Sequence, residues 1–276
     1  KLKFYYILID HKIRKNSYLE ALRVKKLLKK QKINLKILIN KKKINKNIQA
    51  EARATRYEIL TKYCKKNNIR IVITAHNLED QVETFLIRLS RGSGLKGLSS
   101  MKLLSKIENK VNLFRPLLDV KKEYLISISK NIFGKYIKDP SNKDLKFLRT
   151  KIRKLKKPLE NSGIKYEQIF KSIQNLSYSK DTLERHLDKI FKNLIKKKNK
   201  EILINFKKYK KLELEIKIAL INQSVKKLRK NYYDIRSKKV INLIQNLKKN
   251  NFKKSTLGGC IFFKKGENLC LKVENF

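Results

Sequence analysis

Acidic residues, glycine and cysteine are scarce in this chain of 276 residues, and tryptophan is absent. The three cysteines form no C-x-x-C pair and have no metal-ligand spacing, and their odd number fits reduced thiols in a cytoplasm. No apolar run approaches the roughly 20 residues that a membrane-spanning helix needs, and no secretory signal is recognisable. We therefore expect a cytoplasmic protein without a membrane partner.

The charge balance follows from the shortage of acids. Lysine and arginine number 71 against 23 aspartates and glutamates, a formal net charge of +48. Such a charge favours a polyanionic partner such as nucleic acid. Because lysine, isoleucine and asparagine are abundant everywhere in the chain, a compositional bias of the genome explains the same charge, and the two explanations are compatible.

Glycine is concentrated where the rest of the chain avoids it. Gly92, Gly94 and Gly97 are three of only eight glycines, and they lie within six positions of one another. This clustering predicts a backbone that turns tightly or approaches a ligand closely. The chain begins with Lys1 and its single methionine is Met101, so we expect that the natural N-terminus lies further upstream.

The first half of the chain alternates between short apolar runs and helical patterns. Strands are predicted at residues 4–9, 35–39 and 69–75, and helices at 17–31, 48–66 and 78–90. Residues 4–9 are almost continuously apolar, as in a strand buried on both faces. The alternation predicts an α/β fold with a Rossmann-like parallel sheet and flanking helices, in which ligands bind beyond the carboxyl ends of the strands.

Beyond residue 102 the sequence predicts the end of a first domain and then a mostly helical second domain. A hairpin at 103–107 and 111–114 and helices at 121–131 and 145–157 complete a first domain, residues 1–158. A second domain, residues 159–276, has helical patterns at 166–197, 212–230 and 237–249 and ends in a small hairpin of strands 260–263 and 269–273.

One face of the helix at 78–90 carries the candidate site. Val82, Phe85, Leu86 and Leu89 form an apolar stripe, and His76, Asp80 and Glu83 fall close to a common line roughly opposite it. Asn77 is placed to cap the helix, with Asp80 at its third position. Acids at a helix N-terminus also complement the helix dipole without any further role. A histidine directly after a buried strand, with two acids on its face, favours an active site.

These residues resemble the signature of tRNA(Ile)-lysidine synthetases of the N-type ATP pyrophosphatase (PP-loop) family. The family pattern A-H-x-x-D-D-Q-x-E-T, followed by L-x-R-G-S-G-x-x-G-L-x-x-M, is matched almost completely from His76 to Met101. Further motifs in the family order extend the resemblance over almost the whole chain. They are Asp10-His11-Lys12-Ile13-Arg14, Ala52-Arg53, Arg56-Tyr57, Arg115-Pro116-Leu117-Leu118, Asp139-Pro140-Ser141-Asn142, Phe147 to Arg153, and Thr256-Leu257-Gly258-Gly259.

The chain departs from the family pattern in a few places. Glu79 replaces the first Asp of the D-D pair, Thr150 replaces the Asn of F-x-R-N, and Lys12 replaces the Gly of D-H-G. The phosphate-binding loop S-G-G-x-D-S is absent, and we expect it upstream of Lys1. Without its backbone amides the pyrophosphate of ATP lacks a cradle, which puts the activity of the chain by itself in doubt.

The resemblance implies a ligase that forms a carbon–nitrogen bond. ATP would adenylate the C2 oxygen of the wobble cytidine in tRNA-Ile with the anticodon CAU, and free lysine would displace AMP; Mg²⁺ would neutralise the pyrophosphate. Asp80 and Glu83 would hold the lysine, and His76 would contact the nucleotide or the base. ATP or tRNA phosphates would be contacted by Arg91, Gly92, Ser93, Gly94, Arg115, Arg149 and Arg153. No metal-ligating residue is assigned, and a homodimer is left open.

Two other functions compete with this interpretation. A different PP-loop enzyme, such as a tRNA thiolase, would typically carry the cysteine pairs that this chain lacks. A non-catalytic basic RNA-binding protein would explain the charge but would leave the acidic cluster of a +48 chain unexplained.

Overall fold

The computed structural model describes residues 3–44, 48–108, 111–137, 144, 146–198, 201–229, 235–249 and 251–274. The chain divides into two compact units, Lys1–Ser177 and Tyr178–Phe276, which are treated separately below. This division falls later than the domain boundary that the sequence places after residue 158. No helix in the described ranges combines the length and apolar character needed to cross a bilayer.

Unit 1 opens with alternating strands and helices, as the sequence predicts. The elements are β1 (Tyr6–Asp10), α1 (Ser17–Lys30), β2 (Leu35–Ile39), α2 (Ile48–Lys66), β3 (Ile71–Ile73) and α3 (Leu78–Leu89). They are followed by α4 (Leu95–Leu98), β4 (Leu104–Glu108), β5 (Val111–Phe114), α5 (Lys122–Phe133), α6 (Leu148–Lys154), α7 (Lys156–Asn161) and the beginning of α8 (Tyr166–Leu194). The stretch from Pro158 to Gly163, expected as a domain boundary, begins inside α7. The D-P-S-N motif, Asp139 to Asn142, lies outside the described residues.

Parallel strand pairs organise unit 1. β1 pairs with β2 and β3 pairs with β5, both in parallel, while β4 forms the expected antiparallel hairpin with β5. The expected α/β architecture is confirmed, although the described strands belong to two sheets, β1-β2 and β3-β5-β4. Burial of β1 on both faces was expected and is wrong: Tyr6 is 45% exposed, because β2 is the one strand that pairs with β1 in the described ranges.

The apolar stripe of α3 packs on the first turns of α8. Leu78 and Val82 form a buried cluster with Tyr166, Ile169 and Ile173, and Phe85 and Leu86 pack against its edge. Leu89, the last member of the predicted stripe, is half exposed because it ends the helix. These contacts keep the beginning of α8 in unit 1.

A second cluster joins α2 to the sheet of β3 and β5. Cys64 of α2 is buried with Val72, Val111 and Leu113, and Tyr57 and Leu60 pack against them. This face of α2 is thereby fixed over the strands, so that the residues of its first turns lie towards the carboxyl end of β3.

Unit 2 combines helices with an antiparallel sheet. After α8 come β6 (Ile195–Lys198), β7 (Glu201–Asn205), α9 (Phe206–Lys210), α10 (Leu214–Leu228), α11 (Ser237–Leu247), β8 (Lys254–Leu257), β9 (Cys260–Lys265) and β10 (Asn268–Val273). The predicted hairpin, β9 with β10, is part of a five-stranded sheet in the order β6-β7-β10-β9-β8. The last residues of the predicted helix 166–197 form strand β6 instead. In the core of unit 2, α10 and α11 pack on this sheet, and Leu220, Ile221 and Val240 are completely buried.

Candidate active site

Asn77 and Asp80 build the start of α3 at the carboxyl end of β3. The Asn77 side chain accepts a hydrogen bond from the Asp80 backbone N–H (3.0 Å), and the Asn77 backbone N–H donates to Asp80 Oδ2 (3.2 Å), which completes a capping box. The predicted cap is confirmed. One Asp80 oxygen is occupied in this way, while Oδ1 lies 3.8 Å from Arg153 Nη2 and the side chain is 20% exposed. Asp80 is thus the carboxylate of the cluster that a ligand can reach.

His76 lies between β3 and this cap. Its Nδ1 is 2.8 Å from Thr74 Oγ1. Burial lowers the pKa of His76 to about 4, with Asp80 opposing this effect and Arg115, Arg53 and Arg149 reinforcing it. The ring is therefore neutral at pH 7 and can exchange hydrogen bonds with a nucleotide or base without adding charge.

Glu83, one turn further along α3, is buried and bound by two arginines of α6. Arg153 donates from Nε to Oε1 (2.5 Å) and from Nη2 to Oε2 (3.2 Å). Arg149 Nε lies 2.9 Å from Oε2 as an ion pair, and Arg149 Nη2 donates to Thr84 Oγ1 (3.1 Å). Burial raises the pKa of Glu83, and hydrogen bonding and charge from Arg153 oppose that rise. Both carboxylate oxygens of Glu83 are consequently occupied within the protein.

The neighbouring acid and amide of the same motif also have structural contacts. Buried Glu79 accepts a hydrogen bond from the Lys122 backbone N–H (2.9 Å) and so holds the start of α5. The Gln81 side chain donates to Met101 O and accepts from Met101 N, both at 2.9 Å. This pair of hydrogen bonds ties the chain after the glycine cluster back to α3.

The glycine turn has the backbone geometry that the sequence predicts. Gly92 has φ +64, and a side chain at Gly97 would meet Ser93 Cβ at 2.6 Å. Arg88 fixes the segment by donating from Nη1 to Gly97 O (2.6 Å) and Ser100 O (3.1 Å). Of the predicted phosphate contacts Arg91, Gly92, Ser93 and Gly94, Arg91 is exposed and Ser93 N donates to Arg88 O. Their proposed role in phosphate binding stays a prediction.

Arg115 follows β5 and is buried, unlike an open phosphate contact. Its Nη1 donates to Lys102 O and to Ser105 Oγ, both at 2.9 Å. These bonds connect the end of β5 to β4 and the segment before it. Arg115 nevertheless remains close enough for its charge to act on His76.

The sequence identifies four residues near the strand ends as members of family motifs and assigns them no role: Asp10, His11, Arg53 and Arg56. At the carboxyl end of β1, Asp10 is 3% exposed, and its Oδ2 is buried without a hydrogen-bond partner. Both ring nitrogens of His11 are buried and unpartnered as well. Arg53 and Arg56 lie on α2, where the charge of Arg56 acts on His11 and that of Arg53 on His76. The motifs D-H and A-R-x-x-R-Y were the signal that could have identified them.

The chain is similar in sequence to several curated proteins. The chain is 34% identical over 231 residues to the tRNA(Ile)-lysidine synthase of Wolbachia pipientis wMel, covering 83% of this chain and 53% of that protein. It is 40% identical over 152 residues to the same enzyme of Orientia tsutsugamushi, covering 55% of this chain and 34% of that protein. The chain spans about half the length of the Wolbachia relatives it matches.

A solved structure has the same type of fold. The U34-tRNA thiolase NcsA from Methanococcus maripaludis superimposes with a TM-score of 0.51 at 17% identity, covering 62% of this chain and 60% of that one. At this identity the likeness concerns the fold alone. The PP-loop domain family matches residues 1–159, which include β1 to β5, α3 and the Glu83–arginine cluster. This chain belongs to the PP-loop domain family.

Proposed function

We propose that the full gene product is a tRNA(Ile)-lysidine synthase. It would use ATP to attach free lysine to C2 of the wobble cytidine in tRNA-Ile with the anticodon CAU. The observation that carries the proposal is the cluster at the end of β3, where reachable Asp80 lies beside neutral His76 and the Arg149–Glu83–Arg153 ion pairs. The similarity to curated lysidine synthases over 231 residues supports it.

The reaction we propose has two steps. The C2 oxygen of cytidine attacks the α-phosphorus of ATP, so that an O–P bond forms and pyrophosphate leaves. The ε-amine of lysine then attacks C2, the bond from C2 to the adenylated oxygen breaks, AMP leaves and the amine loses a proton. Adenylation makes the oxygen a good leaving group, which divides one difficult substitution into two easier ones.

Asp80 is the residue we assign to the lysine ammonium. Its partly exposed carboxylate offers the negative charge that a cation requires when it leaves water. Glu83, with both oxygens bound to arginines, acts in this proposal by orienting Arg149 and Arg153 rather than by contacting lysine. Neutral His76 is assigned to the nucleotide or the cytidine, because its ring can donate and accept hydrogen bonds.

Mg²⁺ would accompany ATP, since substrate phosphates and waters usually provide most of its ligands. We assign the ion no ligand from the protein: the residues that the structure describes include no group of three or more His, Cys, Asp or Glu side chains that could bind it, which fits an ion held mainly by the phosphates. The metal would supply charge neutralisation for the departing pyrophosphate, and the protein residues would hold and orient the substrates around it.

The test is direct. The full gene product is incubated with ATP, Mg²⁺, isotopically labelled lysine and a tRNA-Ile transcript, and the digested nucleosides are analysed by mass spectrometry. We expect labelled lysidine, and none when ATP is omitted or the wobble cytidine is replaced by uridine. Formation of a thiolated nucleoside when a sulfur donor is supplied would assign the protein to the thiolase class instead. RNA binding without any modified nucleoside would favour a non-catalytic protein.

A further inference from the structure

Tyr166 has a buried hydroxyl without a hydrogen-bond partner. The residue begins α8 and is 3% exposed, and its ring packs with Leu78 and Val82 of α3. Buried polar atoms are nearly always satisfied in native proteins, and an unsatisfied one costs free energy. The Tyr166 hydroxyl is therefore a spare hydrogen-bonding group beside the helix that carries the candidate site.

The surroundings of Tyr166 contain charged groups, unlike those of Tyr209, a second tyrosine whose buried hydroxyl lacks a partner. Tyr209 lies in the apolar core of unit 2, and burial is the cause that raises its pKa. Burial and then the charge of Glu83 raise the pKa of Tyr166 to about 12. The Tyr166 hydroxyl consequently keeps its proton at pH 7 and lies close enough to Glu83 for the carboxylate charge to act on it.

Arg149 is the more loosely held of the two arginines that pair with Glu83. Its Nε lies 2.9 Å from Glu83 Oε2, but this buried nitrogen makes no hydrogen bond, while Nη2 donates to Thr84. Arg153, in contrast, donates two hydrogen bonds to the Glu83 carboxylate. The Arg149 side chain is also 32% exposed. An external anion can therefore draw Arg149 away from Glu83 at a lower cost than Arg153.

Departure of Arg149 would leave Glu83 short of a partner. Its Oε2 would retain the hydrogen bond from Arg153 Nη2 at 3.2 Å, which is longer than a strong charge-assisted bond. A buried carboxylate that loses a partner is costly, so the vacated side of Oε2 requires a donor. A tyrosine O–H can donate, and hydrogen bonds from hydroxyls to carboxylates are short and strong. The Tyr166 hydroxyl is a donor of this kind.

We propose that Tyr166 is a positioning residue that donates a hydrogen bond to Glu83 when Arg149 turns from Glu83 to a phosphate group of a substrate. Arg149 then binds the phosphate, Arg153 keeps its hydrogen bonds to Glu83, and Tyr166 satisfies the carboxylate oxygen that Arg149 has left. A guanidinium group suits phosphate because it offers several donors in a plane. This role rests on the proposed function, since the phosphate belongs to the ATP or the tRNA of that reaction.

The test compares phosphate binding with stability in the chain of 276 residues. Inorganic pyrophosphate, ATP and an anticodon stem-loop RNA are titrated by calorimetry at fixed low salt into the wild type, Tyr166→Phe, Arg149→Gln and the double variant. Tyr209→Phe is the matched control, because it also removes a buried hydroxyl without a partner. Thermal unfolding followed by hydrogen exchange of α3 and α6 reports the stability of unit 1 in each variant.

We expect Tyr166→Phe to weaken the binding of phosphate ligands about tenfold, because the hydrogen bond of its hydroxyl forms in the bound state. The stability of unit 1 without ligand should stay the same or rise slightly, because the change removes an unsatisfied group. Arg149→Gln should weaken binding about tenfold or more, and Tyr209→Phe should change it less than about twofold. In the double variant, Tyr166→Phe should add nothing to the effect of Arg149→Gln. An effect on pyrophosphate and ATP identifies the nucleotide as the source of the phosphate, and an effect on RNA alone identifies the tRNA backbone.

Several results would overturn the proposal. They are unchanged binding in Tyr166→Phe or in Arg149→Gln, a loss of unit 1 stability in Tyr166→Phe, additive effects in the double variant, and no binding of any of the three ligands by the wild type. Lysidine formation by the full gene product is measured separately. Phosphate binding that depends jointly on Arg149 and Tyr166, without lysidine, would refute the proposed function and leave the role of Tyr166 standing.

Discussion

Replacing Glu83 tests whether the buried carboxylate holds α6 to α3. The Glu83 side chain is 3% exposed, whereas its partners Arg149 and Arg153 are 32% and 28% exposed. Removing one member of a buried ion pair typically costs about 3–5 kcal/mol, because the remaining charge loses its partner. Burial raises the pKa of Glu83, so the cost of burying its charge offsets part of the ion-pair energy, and both arginines retain some contact with water. We therefore expect Glu83→Gln to destabilise unit 1 by about 3 kcal/mol, the lower end of that range.

Glu58→Gln is the matched control for this experiment. Glu58 also pairs with two cations, Lys42 and Lys62, in the same unit, but the pairs are exposed and exposed pairs contribute little. For a unit of this size, about 3 kcal/mol corresponds to a melting temperature lower by roughly 6–12 °C. Because the chain has two units, the measurement should report unit 1 alone, by hydrogen exchange of α3 and α6 during thermal unfolding.

Equal effects of Glu83→Gln and Glu58→Gln would show that the buried ion pairs do not stabilise unit 1. A double variant gives a second test. Glu83→Gln combined with Arg153→Gln should cost clearly less than the two single changes added together, since the residues contact each other. Additive effects would contradict the proposed coupling.

Three further predictions concern other residues. Asp80→Asn in the full gene product should abolish lysidine formation while tRNA binding changes little, and modification at the normal rate would refute the assignment. His76, whose folded pKa of about 4 lies below the unfolded value of 6.5, should make the protein less stable as the pH falls from 6.5 to 4, because the unfolded chain takes up the proton first. This part of the pH dependence of thermal unfolding should shrink in His76→Gln. Gly259→Ala should destabilise unit 2 by about 1–3 kcal/mol in denaturant unfolding, because φ is +68 and a Cβ would lie 1.6 Å from Arg229 Nη1. A variant as stable as the wild type would contradict this prediction.

Local patterns predicted most elements of unit 1 but not how the strands are grouped. α2 and β2 lie where the sequence places them, and α3 is one residue shorter than predicted. In unit 2, the lysine-rich residues of β6 continue a helical pattern, and their strand conformation depends on pairing with β7. A strand stabilised by a partner has no strong signal of its own in the sequence.

The acidic face of α3 could be predicted because helical periodicity places His76, Asp80 and Glu83 on one side. The partners of these residues could not be predicted in the same way. Arg153 is 70 positions from Glu83, and no local pattern indicates that the two side chains meet. The orphaned atoms of Asp10 and His11 likewise become visible when burial and hydrogen bonding are known.

The sequence by itself determined the family motifs, the α/β alternation, the Asn77 cap and the set of candidate residues, because these depend on neighbours a few positions apart. Tertiary structure alone decided how each candidate is used. It buried Glu83 between two arginines and left Asp80 reachable. It also left Asp10 Oδ2 and both ring nitrogens of His11 buried without hydrogen-bond partners. Charge compensation and burial depend on distances in space between residues far apart in the chain, and folding sets those distances.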